Sequence, residues 1–148
     1  MRGLMAGIIL AAAMTACHAA ELSSETPASP EDAIHAANAK APDAVPGSFA
    51  LHILSTGHED GCVFLNSEID YRDQRNLTIV VAPSTVTALA DRYKQPPEQF
   101  FLDKNIVVDG AARREKIVFF SRGMPTDKYY YQTHIVVDDP DQIRLLGF

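Results

Sequence analysis

The sequence is poor in several features that mark common functional classes. It has two cysteines, and its longest apolar run, Leu4 to Met14, is shorter than the about 20 residues that a membrane-spanning helix needs. Basic residues number 13 against 19 acidic ones, a formal net charge of −6. No Gly-x-Ser-x-Gly, phosphate-loop or His-Glu-x-x-His motif occurs. These absences argue against a spanning helix, several common enzyme sites, and non-specific nucleic-acid binding, which depends on neutralising phosphates.

The first residues have the pattern of a secretory signal peptide. Arg2 precedes the short apolar stretch from Leu4 to Met14, and small residues come directly before Cys17. We therefore predict a working compartment outside the cytoplasm. ATP, NAD and chromosomal DNA are unfavourable partners there, and we expect no cofactor.

The segment Met14-Thr15-Ala16-Cys17 resembles the lipobox of bacterial lipoproteins, with Met14 where most lipoboxes carry Leu. The resemblance implies cleavage of residues 1–16, attachment of lipid chains such as palmitate at Cys17, and a stable membrane anchor. His18 in the next position implies sorting to the outer membrane, facing the periplasm.

Two alternatives to lipidation at Cys17 remain open at this stage. Cleavage after Ala19 or Ala20 would release a soluble protein. A disulfide between Cys17 and Cys62 is compatible only with a chain that carries no lipid at Cys17. Because Cys62 lies in an apolar run, a buried and unreactive thiol is the favoured interpretation.

Residues 17–46 differ in composition from the rest of the chain. They are rich in Ala, Ser, Glu and Pro, and such a stretch buries too little apolar surface to offset the entropy cost of ordering. We predict a lipid-anchored, disordered tether here, with a short helix from Glu31 to Lys40 as a local alternative, because Ser29-Pro30 resembles a helix start. The folded domain is predicted to span residues 47–148.

Alternating apolar residues predict a mainly β domain. Strands are expected at residues 49–53, 62–66, 77–82, 104–109, 117–120, 129–137 and 142–146, with a helix from about Thr85 to Lys94. The helix follows the third strand, which is the connectivity of the OB-fold. We therefore predict a small five-stranded OB-like Greek-key barrel with one helix between strands 3 and 4. The predicted core contains Phe49, Leu51, Ile53, Val63, Leu77, Ile79, Val81, Ile106, Val108 and Ile135, and the helix covers one end with Val86, Leu89 and Tyr93.

Three stretches of this domain, residues 63–81, 102–110 and 135–143, resemble bacterial OB-fold domains similar to the tRNA-anticodon-binding type. In such domains a stretch like Lys104-Asn105-Ile106-Val107-Val108 forms the fourth strand. A stretch like Ile135-Val136-Val137-Asp138-Asp139-Pro140 forms the last strand and its exit. The resemblance covers roughly residues 48–147 and implies a barrel without identifying a ligand.

Metal and catalytic chemistry are not favoured by the residue pattern. His58 and Cys62 flank a Gly-containing turn and are too few for a closed zinc site, so no metal is expected. His52 and His134 alternate with apolar neighbours and are predicted to face solvent. Asp70, Arg72, Asp73 and Arg75 could be imagined as a nuclease-like cluster, but a salt-bridged loop is the favoured interpretation. We predict no catalytic residue.

Basic and aromatic residues mark the candidate ligand-binding face. In OB domains, bases stack on aromatic side chains beside basic groups. The candidates are Tyr71, Arg72 and Arg75 in one loop and Arg113, Arg114 and Lys116 in another segment; Arg122, Lys128 and Tyr129–Tyr131 form a third group. The alternative is that the tyrosines pack on the barrel and the charges are solvated. The sequence favours a non-catalytic binding module for an envelope protein or a small anionic or oligomeric ligand over a nucleic-acid-binding or nuclease-like protein.

Overall fold

The computed structural model describes residues 26–147 of the chain. The predicted signal peptide, Cys17 and His18 lie outside the described residues. Within them the chain forms seven strands: β1 (Val45–His52), β2 (Ser55–Glu59), β3 (Cys62–Asn66), β4 (Leu77–Val81), β5 (Asn105–Ser121), β6 (Met124–Val137) and β7 (Ile143–Leu145). The described helices are α1 (Pro30–Lys40), α2 (Pro83–Tyr93) and the short α3 (Pro97–Phe100), with a 3₁₀ turn at Pro140–Gln142. The predicted mainly β class is confirmed.

All seven strands belong to one sheet. Its order is β1-β5-β6-β4-β3-β2, and β7 pairs with β5 beside this path. β4 and β6 are parallel, and the other pairs are antiparallel. Only Ile53 and Leu54 separate β1 from β2, which lie at the two ends of the order. The Ile53 N–H donates to the Lys104 carbonyl at 3.0 Å and the Leu54 N–H donates to the Asn66 carbonyl at 2.9 Å, so this junction is bonded on both sides.

The predicted core is confirmed residue by residue. Period-two alternation placed ten side chains inside, and every one of them is buried: Phe49, Leu51, Ile53, Val63, Leu77, Ile79, Val81, Ile106, Val108 and Ile135. The helix α2 buries Leu89 completely, and Val86 and Tyr93 pack against the same cluster. One helix was predicted between β4 and β5, and the structure has two there, α2 and the short α3. Its neighbour Phe101 is also fully buried.

The structure corrects the predicted tether. Residues 17–46 were expected to be disordered, but α1 spans Pro30–Lys40 and β1 begins at Val45. Ser29 caps α1 by accepting the N–H of Asp32 at 3.2 Å, and Ala33 and Ala37 are buried against the sheet. The alternative of a helix over Glu31–Lys40 is therefore confirmed. The order arises because two small side chains let the helix backbone lie close to the strands.

β5 and β6 form one long hairpin. Separate strands were expected at residues 104–109 and 117–120, but β5 is continuous from Asn105 to Ser121. The connection to β6 is shorter than the gap between the expected strands 117–120 and 129–137, because Arg122 (φ 53°) and Gly123 (φ 77°) form a two-residue turn in the left-handed region. Beyond Ala112, its last buried residue, β5 pairs only with β6 among the described strands, so the two strands extend past the core.

Candidate functional site

The β5–β6 hairpin separates two concave surfaces. The first, called the outer groove, has a volume of about 600 Å³ and is lined by β2 together with Phe64, Asn66, Ile69, Tyr71, Thr78, Ile117, Tyr130, Gln132 and His134. The second, called the tyrosine cleft, has a volume of about 640 Å³ and is lined by Ile34, Asn38, Gln74, Arg75, Arg114 and residues 129–133. Both volumes are in the range that accommodates small ligands.

Asn76 shapes the loop that borders both surfaces. Its side chain is buried at the end of residues 67–76, the connection from β3 to β4. Asn76 Oδ1 accepts the Glu68 N–H at 3.1 Å. The side-chain nitrogen Nδ2 of Asn76 donates to the Thr78 hydroxyl at 2.9 Å, to Asn66 Oδ1 at 3.2 Å and to the Tyr71 backbone carbonyl at 3.1 Å. These bonds fold the loop back onto the sheet and hold Tyr71 at the groove.

We expect the Asn76→Ala variant to lose about 1–3 kcal/mol of unfolding free energy, because it leaves buried partners without their hydrogen bonds. Urea denaturation followed by circular dichroism measures the loss. Gln74→Ala in the same loop is the matched control, since Gln74 is exposed, and its effect should stay within about 0.5 kcal/mol. Equal stability of both variants would contradict this account of the loop.

A row of polar side chains crosses the sheet beneath the outer groove. Ser55 pairs with Asn66, Asn66 with Thr78, and Thr78 with His134, on adjacent strands β2, β3, β4 and β6. The Thr78 hydroxyl donates to Asn66 Oδ1 at 2.9 Å. Partners in register share one face of a sheet, so the floor of the groove is polar while Ile69, Tyr71, Ile117 and Tyr130 give it apolar walls.

His134 is half-buried in this floor, whereas the sequence predicted that it faces solvent. Burial lowers its pKa, so the ring is neutral at pH 7. One ring nitrogen lies 2.6 Å from Gln132 Oε1, and Gln132 in turn donates to the Tyr130 hydroxyl at 2.9 Å. His134 lines the outer groove together with Ile69 and Tyr71 of the residue 67–76 loop. Among the described residues that line the groove, none is Lys or Arg.

The tyrosine cleft contains two stacked cation–tyrosine pairs on one face of the hairpin. The Arg114 guanidinium carbon lies 4.3 Å from the ring centroid of Tyr131, and Lys116 Nζ lies 4.1 Å from that of Tyr129. The two rings meet edge to face with centroids 5.7 Å apart. We call these four residues the cation–tyrosine ladder. Both rings stay accessible, with Tyr129 50% and Tyr131 40% exposed.

Charge pairing distinguishes the ladder from the neighbouring loop. Among the described residues, neither Arg114 nor Lys116 forms a salt bridge. In the loop, Arg72 binds both carboxylate oxygens of Asp70, and Arg75 binds both of Asp73. The hydrogen bonds from Arg75 lower the pKa of Asp73 to about 2. The ladder cations are therefore available to an anionic ligand, whereas the loop cations already have carboxylate partners.

The structure brings some of the six predicted ligand-binding residues together and separates others. Arg75 and Arg114 line the same cleft, and Lys116 follows Arg114 on the same face of β5. Tyr71 instead lines the outer groove, with the Arg72 guanidinium 5.7 Å from its ring centroid. Arg113 turns to the opposite face of β5 from Arg114 and donates to the Pro42 carbonyl at 3.4 Å.

Several lining residues were missed by sequence reasoning. Ile34 and Asn38 belong to α1, which was assigned to the tether, and Gln132 and Thr78 carried no motif. The consecutive tyrosines Tyr129–Tyr131 were recognised as aromatic candidates, and alternation along β6 divides them between the two sides of the hairpin. The sequence alone does not give the register between β5 and β6, which places Lys116 opposite Tyr131. Without that register, the contacts between the tyrosines and the cations could not be predicted.

The segment that contains the possible metal ligands His58 and Cys62 forms a β-hairpin between β2 and β3. Asp60 (φ 50°) and Gly61 (φ 81°) connect β2 to β3, and Glu59 pairs with Cys62. Within residues 26–147, no group of three or more His, Cys, Asp or Glu side chains is arranged to hold a metal ion. Cys62 is half-buried at the strand start, more exposed than its apolar neighbours predicted.

Comparison of the sequence with protein-family models finds no matching family, and a search of curated proteins finds no match either. In the part of the chain that the structure describes, no helix is both long and apolar enough to cross a membrane.

Proposed function

We propose that this chain is a non-catalytic binding module of a bacterial cell envelope, anchored by lipid at Cys17 to the outer membrane and facing the periplasm. Its domain binds a small anionic or oligomeric ligand in the tyrosine cleft. The observation that carries the proposal is the cation–tyrosine ladder, in which two cations without a carboxylate partner in the described residues lie on two accessible rings.

We infer that the domain is an OB-like Greek-key barrel of five strands, in which β1 and β2 are the two halves of one bent strand and β7 is a short addition beside β5. Three features support this. The junction at Ile53 and Leu54 is hydrogen-bonded to both neighbouring strands. β4 and β6 pair in parallel, as the third and fifth strands of such a barrel would. α2 follows β4 directly. The tyrosine cleft then lies at the base of the hairpin between the last two strands.

The chemistry of the cleft favours an anion that also presents a flat or ring-shaped face. Arg114 offers a planar guanidinium that suits carboxylate, sulfate or phosphate oxygens, and Lys116 adds a second positive charge. Tyr129 and Tyr131 offer ring faces against which a sugar or a planar group can pack. Asn38, Gln74 and Gln132 supply neutral hydrogen-bonding groups around them. An oligomer would reach several of these groups at once.

Two further candidates have supporting observations. An envelope protein is favoured by the outer groove, because β2 is the last strand of the sheet order and its second edge pairs with no described strand. Such an edge can receive an extended peptide. A single-stranded nucleic acid is favoured by the ladder itself, since bases stack on tyrosines and phosphates pair with cations. The nuclease-like alternative is weakened because Asp70 and Asp73 already bind Arg72 and Arg75.

The test is a titration of the isotope-labelled full chain carrying Cys17→Ser, with binding followed by NMR. The probes are a sulfated oligosaccharide, an oligothymidylate of about ten nucleotides, and the uncharged parent oligosaccharide. We expect saturable shifts at Arg114, Tyr129 and Tyr131 with the sulfated oligosaccharide and none with its uncharged parent. Tighter binding of the oligothymidylate would favour the nucleic-acid alternative. Failure of both anionic probes to shift these signals would contradict an anion site.

Lipidation has its own test. When cells expressing the intact chain receive a fatty-acid analogue that carries a chemical tag, we expect the wild-type protein to be labelled and the Cys17→Ser variant to remain unlabelled. Labelling depends on the thiol that accepts the lipid, so the serine variant is the matched control. Equal labelling of the two proteins would disprove an anchor at Cys17, and it would leave the ladder proposal intact.

A further inference from the structure

The tip of the β5–β6 hairpin exposes large apolar side chains far from the core. Phe120 is 68% exposed and Met124 is 69% exposed, directly before and after the turn region, and Phe119 is 46% exposed. We call residues 119–128 the hairpin tip. Neither the ladder nor the outer groove uses these three side chains. A cluster of this kind marks an interaction surface when it is rimmed by polar groups.

The exposed side chains lie on both sides of the hairpin. Phe119 packs against Tyr130 with ring centroids 5.3 Å apart, on the side of the outer groove. Beyond the register shift at Phe119, Phe120 pairs with Pro125 and Ser121 pairs with Met124. Partners in register share a side and successive residues alternate, so Phe120 and Met124 point to opposite sides of the hairpin. A flat protein surface could cover only one of these sides. A lipid interface, in contrast, surrounds an inserted tip and covers both.

The charges of the tip fit the surface of an anionic bilayer. Arg122 lies in the turn between the two apolar strand ends, and Lys128 lies on β6 a few residues further from the turn. Asp127 is the one carboxylate of residues 119–128. The tip is thus locally positive on a chain with a net charge of −6. Basic side chains at this depth can bind headgroup phosphates while the apolar groups enter the acyl boundary.

The tight turn and the hydrogen bonds of Thr126 leave few unpaired backbone groups at the hairpin tip. Arg122 and Gly123 close the hairpin in two residues, so few polar backbone groups lie beyond Phe120 and Met124. The Thr126 hydroxyl donates to the Phe119 carbonyl at 2.7 Å and accepts the Lys128 N–H at 3.2 Å, which satisfies backbone groups where the strand register shifts. We propose that the hairpin tip inserts into the surface of a bilayer that contains anionic lipids, as a second membrane contact independent of the lipid at Cys17.

The absence of tryptophan from the chain allows a direct test. A Phe120→Trp substitution in residues 17–148 carrying Cys17→Ser gives one fluorescent reporter at the tip and leaves out the apolar stretch Leu4–Met14, which would itself bind vesicles. With vesicles of mixed phosphatidylglycerol and phosphatidylcholine, we expect a blue shift of its emission and quenching by brominated lipid. Val136→Trp is the matched reporter, since Val136 is exposed on β6 away from the tip, and its emission should not change. Because Cys17 is replaced, the outcome does not depend on lipidation.

Two sets of variants identify the contributing groups. Phe120→Ser with Met124→Ser should lower the partition coefficient of the chain onto mixed vesicles on the order of tenfold or more. Arg122→Gln with Lys128→Gln should remove the preference for mixed over pure phosphatidylcholine vesicles. The thermal unfolding of both should match that of the parent, because these side chains are exposed. Unshifted emission of the Phe120→Trp reporter on mixed vesicles would overturn the proposal. A shift that grows with protein concentration without vesicles would replace it with self-association.

Discussion

The Ile79→Ala variant is expected to lose about 2–5 kcal/mol of unfolding free energy, the largest stability effect that we expect from a single substitution in this domain. Ile79 is fully buried in the middle of β4, and its register partners Leu65 on β3 and Ile135 on β6 are fully buried too. Strands on both edges hold the backbone in place. The cavity left by the missing atoms therefore cannot collapse, and the cost falls in the upper part of the range for such truncations.

Urea denaturation of the full chain measures this loss, with an unchanged dependence of free energy on urea as the sign that the denatured state is the same. Val136→Ala is the matched control, because Val136 lies on the neighbouring strand and is 54% exposed. Its effect should be small. If both variants unfolded at the same urea concentration, the register of β4 and β6 would be wrong, since a shift of one residue exchanges the buried and exposed faces.

The core was predictable because its pattern is local. Every second residue of a strand faces the same side, so apolar residues such as Ile79 and Val81 reveal the buried face without any knowledge of the neighbouring strands. The same holds for Leu89 on α2, which repeats with the helical period. The continuous β5 was harder, because Asp109 and Gly110 have the composition of a turn but lie opposite Ser48 and Gly47 of β1.

The packing of α1 could not be predicted from its composition. Its buried residues are Ala33 and Ala37, whose small side chains contribute little to any hydrophobic signal. Prolines on both sides of the helix also favoured a linker. The helix is ordered by what it contacts, since α1 packs against β1 and β5, and such distant contacts leave no mark in the local sequence.

The candidate site was predictable in its residue types and not in its pairings. Arg72 and Arg75 had the chemistry of anion-binding groups, but each lies two residues after an aspartate in a tight loop and binds that neighbour. Arg114 and Lys116 alternate along β5 and meet tyrosines of β6 instead. The partners of these four cations are set by the strand register and by the hydrogen bonds of Asn76 that fold the loop onto the sheet. Both are properties of the folded chain.

For this reason the double variant Arg114→Gln, Lys116→Gln is expected to weaken binding of the sulfated oligosaccharide on the order of 10–100-fold, the largest functional effect that we expect. Each glutamine keeps hydrogen-bonding capacity and removes one positive charge that has no salt-bridge partner among the described residues. The loss should be largest at low ionic strength, because salt screens charges at an exposed site. Isothermal titration calorimetry at two salt concentrations measures both effects.

Two further double variants make the result specific to the ladder. Arg122→Gln with Lys128→Gln removes the same charge from the same hairpin beyond the cleft, and it should leave oligosaccharide binding nearly unchanged. Arg72→Gln with Arg75→Gln should have a smaller effect than the ladder variant, since those arginines bind Asp70 and Asp73. If the loop variant lost more binding than the ladder variant, the ligand would have to displace the aspartates. The site would then be centred on the residue 70–75 loop and not on the ladder.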